Sequence, residues 1–122
     1  MMLMSSGTKC EFGDIHTVPF PFTSNPGQSK KRPVVVISSS SYNAGTPDVV
    51  CCGITSNLSN KGFDVPIGTK DMEDGTLPAD SLIKYGYIYT LEKGIIGRKI
   101  GRIDAKTRRL LVRELASLFD GT

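Results

Sequence analysis

The sequence has no tryptophan, one histidine and three cysteines among its 122 residues. It also lacks a long apolar run, which excludes a membrane-spanning helix. No segment repeats along the chain, and 15 Lys and Arg residues nearly balance 12 Asp and Glu residues, so solenoid and fully disordered classes are excluded as well. A chain of this length can bury one hydrophobic core. We therefore expect one small globular domain.

The cysteines are too few and too unevenly placed to form a disulfide framework. Cys10 stands alone, whereas Cys51 and Cys52 are adjacent. Neighbouring side chains of a strand point to opposite faces, so these two thiols are expected to diverge as small apolar residues rather than hold a metal ion. An odd cysteine count favours a reducing compartment. Because residues 1–7 do not resemble a secretory signal, we expect a cytoplasmic protein without a membrane contact.

Glycine and proline are plentiful, with 13 and 7 residues, and they separate short runs of strand-forming residues. Strands are predicted at 13–18, 34–38, 49–55, 63–68, 81–91 and 95–103, with loops or turns at 23–31, 39–48 and 70–76. The β-branched run at 34–38 is expected to be buried on both faces. Regular alternation at 81–91 is expected to place Tyr85, Tyr87 and Tyr89 on one apolar and aromatic face. Leu111, Leu115 and Leu118 recur at helical spacing after Asp104, a suitable N-cap. This pattern predicts a mainly β (α+β) fold, a small, partly closed β-barrel with a C-terminal helix.

Positive charge is concentrated towards the C-terminus. Residues 1–81 carry six Lys and Arg against eight Asp and Glu, a net charge of −2, whereas residues 82–122 carry nine against four, a net charge of +5. A basic surface of this kind can bind a polyanion such as nucleic acid. A solvated surface with no binding role explains the same charges equally well.

The common catalytic motifs are missing, since the sequence has no HExxH, Walker loop or GxGxxG. Arg32 precedes one predicted strand, and Thr55, Ser56 and Asn57 end the next. If the two strands pair in antiparallel fashion, Arg32 and Thr55 become neighbours. A guanidinium beside hydroxyl groups suits a phosphate, and RNA carries its own nucleophile, the 2′-hydroxyl, so such a site needs no metal or other cofactor. Alternatively, Arg32 pairs with Asp14 or a carbonyl at a strand end.

Four segments, in order, resemble the MazF/PemK family of toxin endoribonucleases: GDIHTVPFPF at 13–22, KKRPVVVIS at 30–38, ITSN at 54–57 and YTLEKGIIGRKIGRI at 89–103. The resemblance implies an SH3-like barrel that forms a homodimer, cuts single-stranded RNA without a metal and is inhibited by a cognate antitoxin. It also implies a single toxin domain at 11–122 after an N-terminal extension at 1–10.

The same resemblance assigns roles to individual residues. Arg32 and Thr55 match the family's catalytic pair, which would leave a 2′,3′-cyclic phosphate and a 5′-hydroxyl. Substrate contacts are expected from four polar residues near this pair and from a serine that matches a family serine: Lys30, Lys31, Ser56, Asn57 and Ser81.

Two positions depart from the family pattern. His16 replaces an aliphatic residue, and it is either a packed or surface histidine or a general base near the site. Gly86 and Tyr87 replace a charged pair, a difference that bears on base preference and on the dimer contact but not on Arg32 and Thr55. Two other functions fit the same features: an SH3-like toxin that binds DNA gyrase, and a non-catalytic RNA-binding barrel.

Overall fold

The computed structural model describes residues 9–21, 27, 30–59 and 62–120. Within these ranges the chain forms seven strands and two helices: β1 (Asp14–Phe20), β2 (Lys30–Val36), α1 (Ser40–Gly45), β3 (Asp48–Thr55), β4 (Val65–Ile67), β5 (Met72–Gly75), β6 (Ser81–Glu92), β7 (Lys99–Ile103) and α2 (Ala105–Leu118). None of the helices in this part of the chain is long and apolar enough to cross a membrane.

All seven strands belong to one antiparallel sheet with the order β4-β6-β3-β2-β1-β7-β5. The two outermost strands, β4 and β5, follow each other in the chain and are joined by one 3₁₀ turn at Thr69–Asp71. Five residue steps from Ile67 to Met72 span at most about 18 Å. The sheet must therefore curl until its edges approach, which produces a half-barrel and confirms the expected mainly β fold with a C-terminal helix.

The curled sheet buries a separate apolar cluster on each face. The helix-side core packs Leu111 of α2 against strand residues that include Ile15, Val35, Ile54, Ile83 and Ile103. The groove-side core lies on the other face and contains Cys10, Val18, Val34, Val36, Val49, Cys51, Leu91 and Ile96. Both faces of β2 are buried from Val34 to Val36, as its unbroken β-branched run predicts.

Cys51 and Cys52 lie in different cores, so the divergence of their thiols is confirmed. Burial raises the pKa of both thiols to about 12. Because the thiolate is the reactive form, we expect both to resist iodoacetamide at about pH 8 in the native protein and to react quickly in denaturant. Peptide mass spectrometry checks this, and rapid native labelling of either residue would contradict the burial.

Strand β6 differs from the predicted regular alternation of residues 81–91. Its register with β3 pairs Ile88 with Cys52 and Lys84 with Gly53, so residues 85–87 form a bulge without partners on β3. Tyr85 turns into the helix-side core, whereas Tyr87 is largely exposed. The prediction that Tyr85 and Tyr87 share one face was therefore wrong, because a bulge interrupts the two-residue period.

Other element boundaries also differ from those predicted from the sequence. Residues 39–48 contain α1, capped by the Ser39 side chain, and the expected loop at 70–76 is largely strand β5. Lys30 and Lys31, expected in a loop, begin β2. Of the expected loop at 23–31, residues 23–26 and 28–29 lie outside the described residues, as do residues 1–8 of the expected extension. Cys10, assigned to that extension, is buried in the groove-side core.

Strand β1 continues through Pro19 to Phe20, beyond the end predicted from the prolines. Its pairing with β7 ends at His16, whereas its pairing with β2 continues to Phe20. The proline therefore lies where one side of β1 has no ladder partner, and the missing N–H is tolerated. Only Lys99–Ile103 of the segment predicted as a strand at 95–103 is extended in the sheet.

Helix α2 begins as predicted at Asp104, whose carboxylate accepts a 2.8 Å hydrogen bond from the Thr107 N–H. The hydrogen bonds from Thr107 lower the pKa of Asp104. A lowered folded-state pKa means that this stabilisation is present above the unfolded pKa and is lost as the pH falls through the folded one.

We expect Asp104→Ala to lower the free energy of unfolding at neutral pH by about 1 kcal/mol, and the deficit to shrink at acid pH. Asp104→Asn is the matched control, because its amide oxygen caps without titrating and should retain near-native stability at neutral pH. Urea unfolding at neutral and acid pH measures both variants. A deficit of Asp104→Ala that does not change with pH would contradict the role of the carboxylate.

Candidate active site

A cavity of about 310 Å³ opens on the groove-side face and crosses β6, β3, β2 and β1. We call it the groove. Val18 and Val34 of the groove-side core form its floor together with Gly53. Its rim is polar or aromatic: Phe20, Arg32, Thr55, Lys84, Tyr87 and Tyr89.

Arg32 and Thr55 both line the groove. They lie on the neighbouring antiparallel strands β2 and β3, each two residues beyond the paired residues Val34 and Gly53. The predicted neighbourhood of the two residues is therefore confirmed, although their catalytic role stays a prediction.

The surroundings leave this pair open to a ligand. Arg32 is exposed, and Asp14, its alternative partner, is buried and forms ion pairs with Lys99 and Arg102 instead. The Oγ1 of Thr55 accepts a 3.1 Å hydrogen bond from the Asn57 N–H. This bond orients the hydroxyl as an acceptor and leaves its hydrogen to donate, so a phosphate oxygen can be held by both side chains.

Lys84 is a further groove residue that the sequence analysis missed. It lies on β6 opposite Gly53, which precedes Thr55 by two residues on β3. Its Nζ lies 3.5 Å from Oδ2 of Asp64 and donates a 3.2 Å hydrogen bond to the Gly62 carbonyl. Lys84 is mostly buried, so Asp64 compensates its charge at the edge of the groove. A lysine amid apolar strand residues was the only sequence signal.

Aromatic side chains occupy two sides of the groove rim. Phe20 lies at the β1 end, and Tyr87 and Tyr89 lie on β6. A Cβ atom on Gly53 would be 3.6 Å from the Tyr89 ring and 3.8 Å from the Tyr87 Cβ, so both tyrosines flank this glycine. Burial raises the pKa of Tyr89, which keeps its hydroxyl protonated at neutral pH.

The other expected contacts do not line the groove. Lys30 lies two residues before Arg32 on β2 and points to the groove face, whereas Lys31 alternates to the other face. Ser56 and Asn57 are exposed after the end of β3, and the Asn57 side chain accepts hydrogen bonds from Ser59.

Ser81 is not brought to the groove. It is buried at the start of β6, where its hydroxyl donates a 2.9 Å hydrogen bond to the Ala79 carbonyl, and it borders a different cavity beside β4. Ser81 lies three residues before Lys84 on β6, so the two side chains point to opposite faces. The match to a family serine gives a residue type and an order, and it does not specify the face.

His16 is a packed residue. It is fully buried, and its Nδ1–H donates a 3.0 Å hydrogen bond to the Gly97 carbonyl. It does not border the groove, so a general-base role there does not fit its position. Within the described ranges, no three His, Cys, Asp or Glu side chains are grouped so as to hold a metal ion.

Comparison with solved structures finds the same fold. An endoribonuclease from a mycobacterial species aligns with a TM-score of 0.71 at 19% identity, covering 93% of each chain. The Mycobacterium tuberculosis toxin MazF-mt6 aligns at 0.69 and 21% identity, covering 88% of this chain and 96% of its own. A MazE-MazF structure from Deinococcus radiodurans aligns at 0.72 and 19% identity, covering 91% and 96%. These likenesses establish the fold.

Family membership comes from the sequence itself. No curated protein sequence matches this chain. A family model described as "PemK-like, MazF-like toxin of type II toxin-antitoxin system" matches residues 11–119, which include every strand and both helices. The chain therefore belongs to the PemK-like, MazF-like toxins of type II toxin–antitoxin systems.

Proposed function

We propose that this toxin is a sequence-selective endoribonuclease that cleaves single-stranded RNA. The observation that carries the proposal is that Arg32 of β2 and Thr55 of the neighbouring strand β3 line one open groove. A guanidinium and a hydroxyl form a cradle for one phosphodiester. The family match and a structural relative described as an endoribonuclease support the same activity.

The groove residues act on charge and orientation rather than as a nucleophile. The RNA 2′-hydroxyl attacks the adjacent phosphorus, so the P–O2′ bond forms and the P–O5′ bond breaks. O2′ loses its proton, O5′ gains one, and the products are a 2′,3′-cyclic phosphate and a 5′-hydroxyl. Arg32 stabilises the charge that develops on the non-bridging oxygens, and Thr55 donates to a non-bridging or leaving oxygen.

This reaction uses a nucleophile that the substrate already carries, so we propose that no metal ion or other cofactor is needed. Lys84 lines the groove but is held by Asp64 and the Gly62 carbonyl, so the charge offered to the substrate phosphate comes from Arg32. Lys30 adds a second positive charge on the groove side of β2, two residues before Arg32. The other expected contacts lie outside the groove: Lys31, Ser56, Asn57 and Ser81.

We also propose a cognate antitoxin as the protein partner and a homodimer as the assembly. Structural relatives include a mycobacterial endoribonuclease in complex with its cognate antitoxin and MazE-MazF of Deinococcus radiodurans. Val112, Leu118 and Phe119 leave apolar surface exposed on and just after α2, which suits association. RNA as substrate and three free cysteines fit a cytoplasmic location, and residues 11–122 are proposed as one toxin domain.

Incubation of a long single-stranded RNA with the purified toxin in excess chelator tests the activity. We expect cleavage at a small set of sites, with 2′,3′-cyclic phosphate ends identified by mass spectrometry. Intact RNA retained on the protein would favour a binding barrel, and intact RNA with capture of DNA gyrase would favour the gyrase-binding alternative. Cleavage only after addition of a divalent metal would overturn the metal-free mechanism.

A further inference from the structure

The aromatic side chains of the groove rim have no role in the cleavage chemistry described above. Tyr87 is 57% exposed and Phe20 is 43% exposed, although both are large apolar side chains. Both border the groove that also contains Arg32 and Lys84. Exposed aromatic rings beside cationic groups are typical of sites for single-stranded nucleic acid, because every base has a face that can stack on a ring.

The β6 bulge is what places Tyr87 in the groove. The hydroxyl of Tyr85 donates a 3.3 Å hydrogen bond to Glu114 of α2, which anchors the bulge on the helix side. Gly86 follows with open space around its Cα, and Tyr87 then returns to the groove side. In an uninterrupted strand, Tyr85 and Tyr87 would share a face. The bulge separates them, so Tyr87 lies in the groove while Tyr85 packs in the helix-side core.

Gly53 leaves open space beside Tyr87 and Tyr89. Its position opposite the start of the bulge carries no side chain, and a Cβ there would touch both Tyr87 and Tyr89 at 3.6–3.8 Å. Tyr87 stands on β6 and Arg32 on β2, two strand spacings or about 10 Å apart across the sheet, and Arg32 lies about two residues further along its strand. Both side chains are long, so one nucleotide can contact Tyr87 with its base and Arg32 with its phosphate.

We propose that Tyr87 is a base-stacking residue of this ribonuclease, on whose ring an unpaired base next to the scissile phosphate lies. The inference rests on the proposed function, because it assigns the phosphate to Arg32. It also gives a physical reason for a preference for single strands, since a base held in a duplex stack cannot reach the ring. Tyr87 then contributes to substrate affinity and orientation, whereas Arg32 acts on the reacting phosphate.

The test combines protein variants with altered RNA. A short single-stranded RNA is centred on the cleavage site mapped for the wild-type toxin, and a 2′-deoxyribose at the cleaved nucleotide prevents reaction. Its Kd is measured for the wild type, Tyr87→Ala and Tyr87→Phe by fluorescence anisotropy. The series is repeated with RNAs that carry one abasic nucleotide at successive positions around the scissile phosphate.

We expect Tyr87→Ala to weaken binding about tenfold and Tyr87→Phe to bind like the wild type, because phenylalanine retains the ring. One abasic RNA should weaken wild-type binding by a similar factor and should bind Tyr87→Ala no more weakly than it binds the wild type. Tyr42→Ala is the matched control, since Tyr42 is exposed on α1 outside the groove, and its binding should not change.

Binding of Tyr87→Ala equal to that of the wild type overturns the proposal, as does a loss that persists unchanged with every abasic RNA. Because the measurement uses uncleavable RNA, it is separate from turnover. Failure of the wild type to cleave ordinary RNA would overturn the proposed function, whereas normal cleavage without an effect of Tyr87→Ala would overturn the stacking role alone.

Discussion

Arg32→Ala is expected to lower kcat for RNA cleavage by about 10²–10³-fold, the usual effect of removing one group that stabilises transition-state charge. The side chain is exposed on β2 and lines the groove, so its loss should leave the fold intact. A single-turnover cleavage assay with saturating enzyme measures the chemical step, and thermal unfolding of the same preparation checks stability.

Two matched variants make this prediction specific. Arg32→Lys keeps a charge but loses the planar two-pronged donor, so we expect it to recover only part of the lost rate. Lys31→Ala removes a neighbouring charge on the opposite face of β2 and should cleave at nearly the wild-type rate. Equal losses for Arg32→Ala and Lys31→Ala would show that net charge, rather than the groove geometry, controls cleavage.

Lys84→Met is expected to lower the free energy of unfolding by about 3 kcal/mol, because it leaves the carboxylate of Asp64 without its partner in a mostly buried position. The side chains of Lys84 and Asp64 are only 11% and 10% exposed, so water replaces the lost partner poorly. Urea unfolding monitored by circular dichroism measures the loss.

The double variant Asp64→Asn with Lys84→Met provides the control. The amide oxygen introduced by Asp64→Asn would still accept the 2.7 Å hydrogen bond that the Gly62 N–H gives to Asp64, while the uncompensated charge disappears. The double variant should therefore be more stable than Lys84→Met alone, with a coupling of about 1 kcal/mol or more. Strictly additive losses, or a loss below about 0.5 kcal/mol for Lys84→Met, would show that the pair is a surface-like interaction.

Patterns with a strong local signal predicted their structure well. The β-branched run at 34–38 predicted a strand buried on both faces, and the N-cap at Asp104 predicted the start of α2. Pairing of the two central strands across the segment at 39–48 was enough to bring Arg32 and Thr55 together. These features depend on residues close in sequence or on the simplest antiparallel connection, so they can be derived from the sequence without the structure.

The rest of the groove depends on long-range geometry. Lys84 faces the groove because β6 pairs it with Gly53 of β3, and its partner Asp64 lies just before β4. Neither the bulge nor the partner leaves a local sequence signal apart from Gly86 and the lysine itself. The same bulge separated Tyr85 from Tyr87, and a local register shift of this kind reverses every face assignment beyond it.

Ser81 shows the opposite limit. Its match to a family pattern gave a residue type and an order in the chain, but the curled sheet turned its side chain towards β4 and away from the groove. Order along the chain therefore identified the strand but carried no information about the face on which the side chain lies. The charge asymmetry did not locate the groove either, because Arg32 comes from the mildly acidic part of the chain and Lys84 from the basic part.

The central claim is that the groove cleaves RNA by orienting the substrate's own 2′-hydroxyl against a phosphate held by Arg32 and Thr55. Its most direct test is cleavage of a single-stranded RNA in which only the nucleotide before the scissile phosphate is 2′-deoxy, in chelator and beside the all-ribose RNA. The account predicts that the all-ribose strand is cut to a 2′,3′-cyclic phosphate and that the substituted strand stays intact at that position while binding with similar affinity. Cleavage of the substituted strand at the same bond would contradict it.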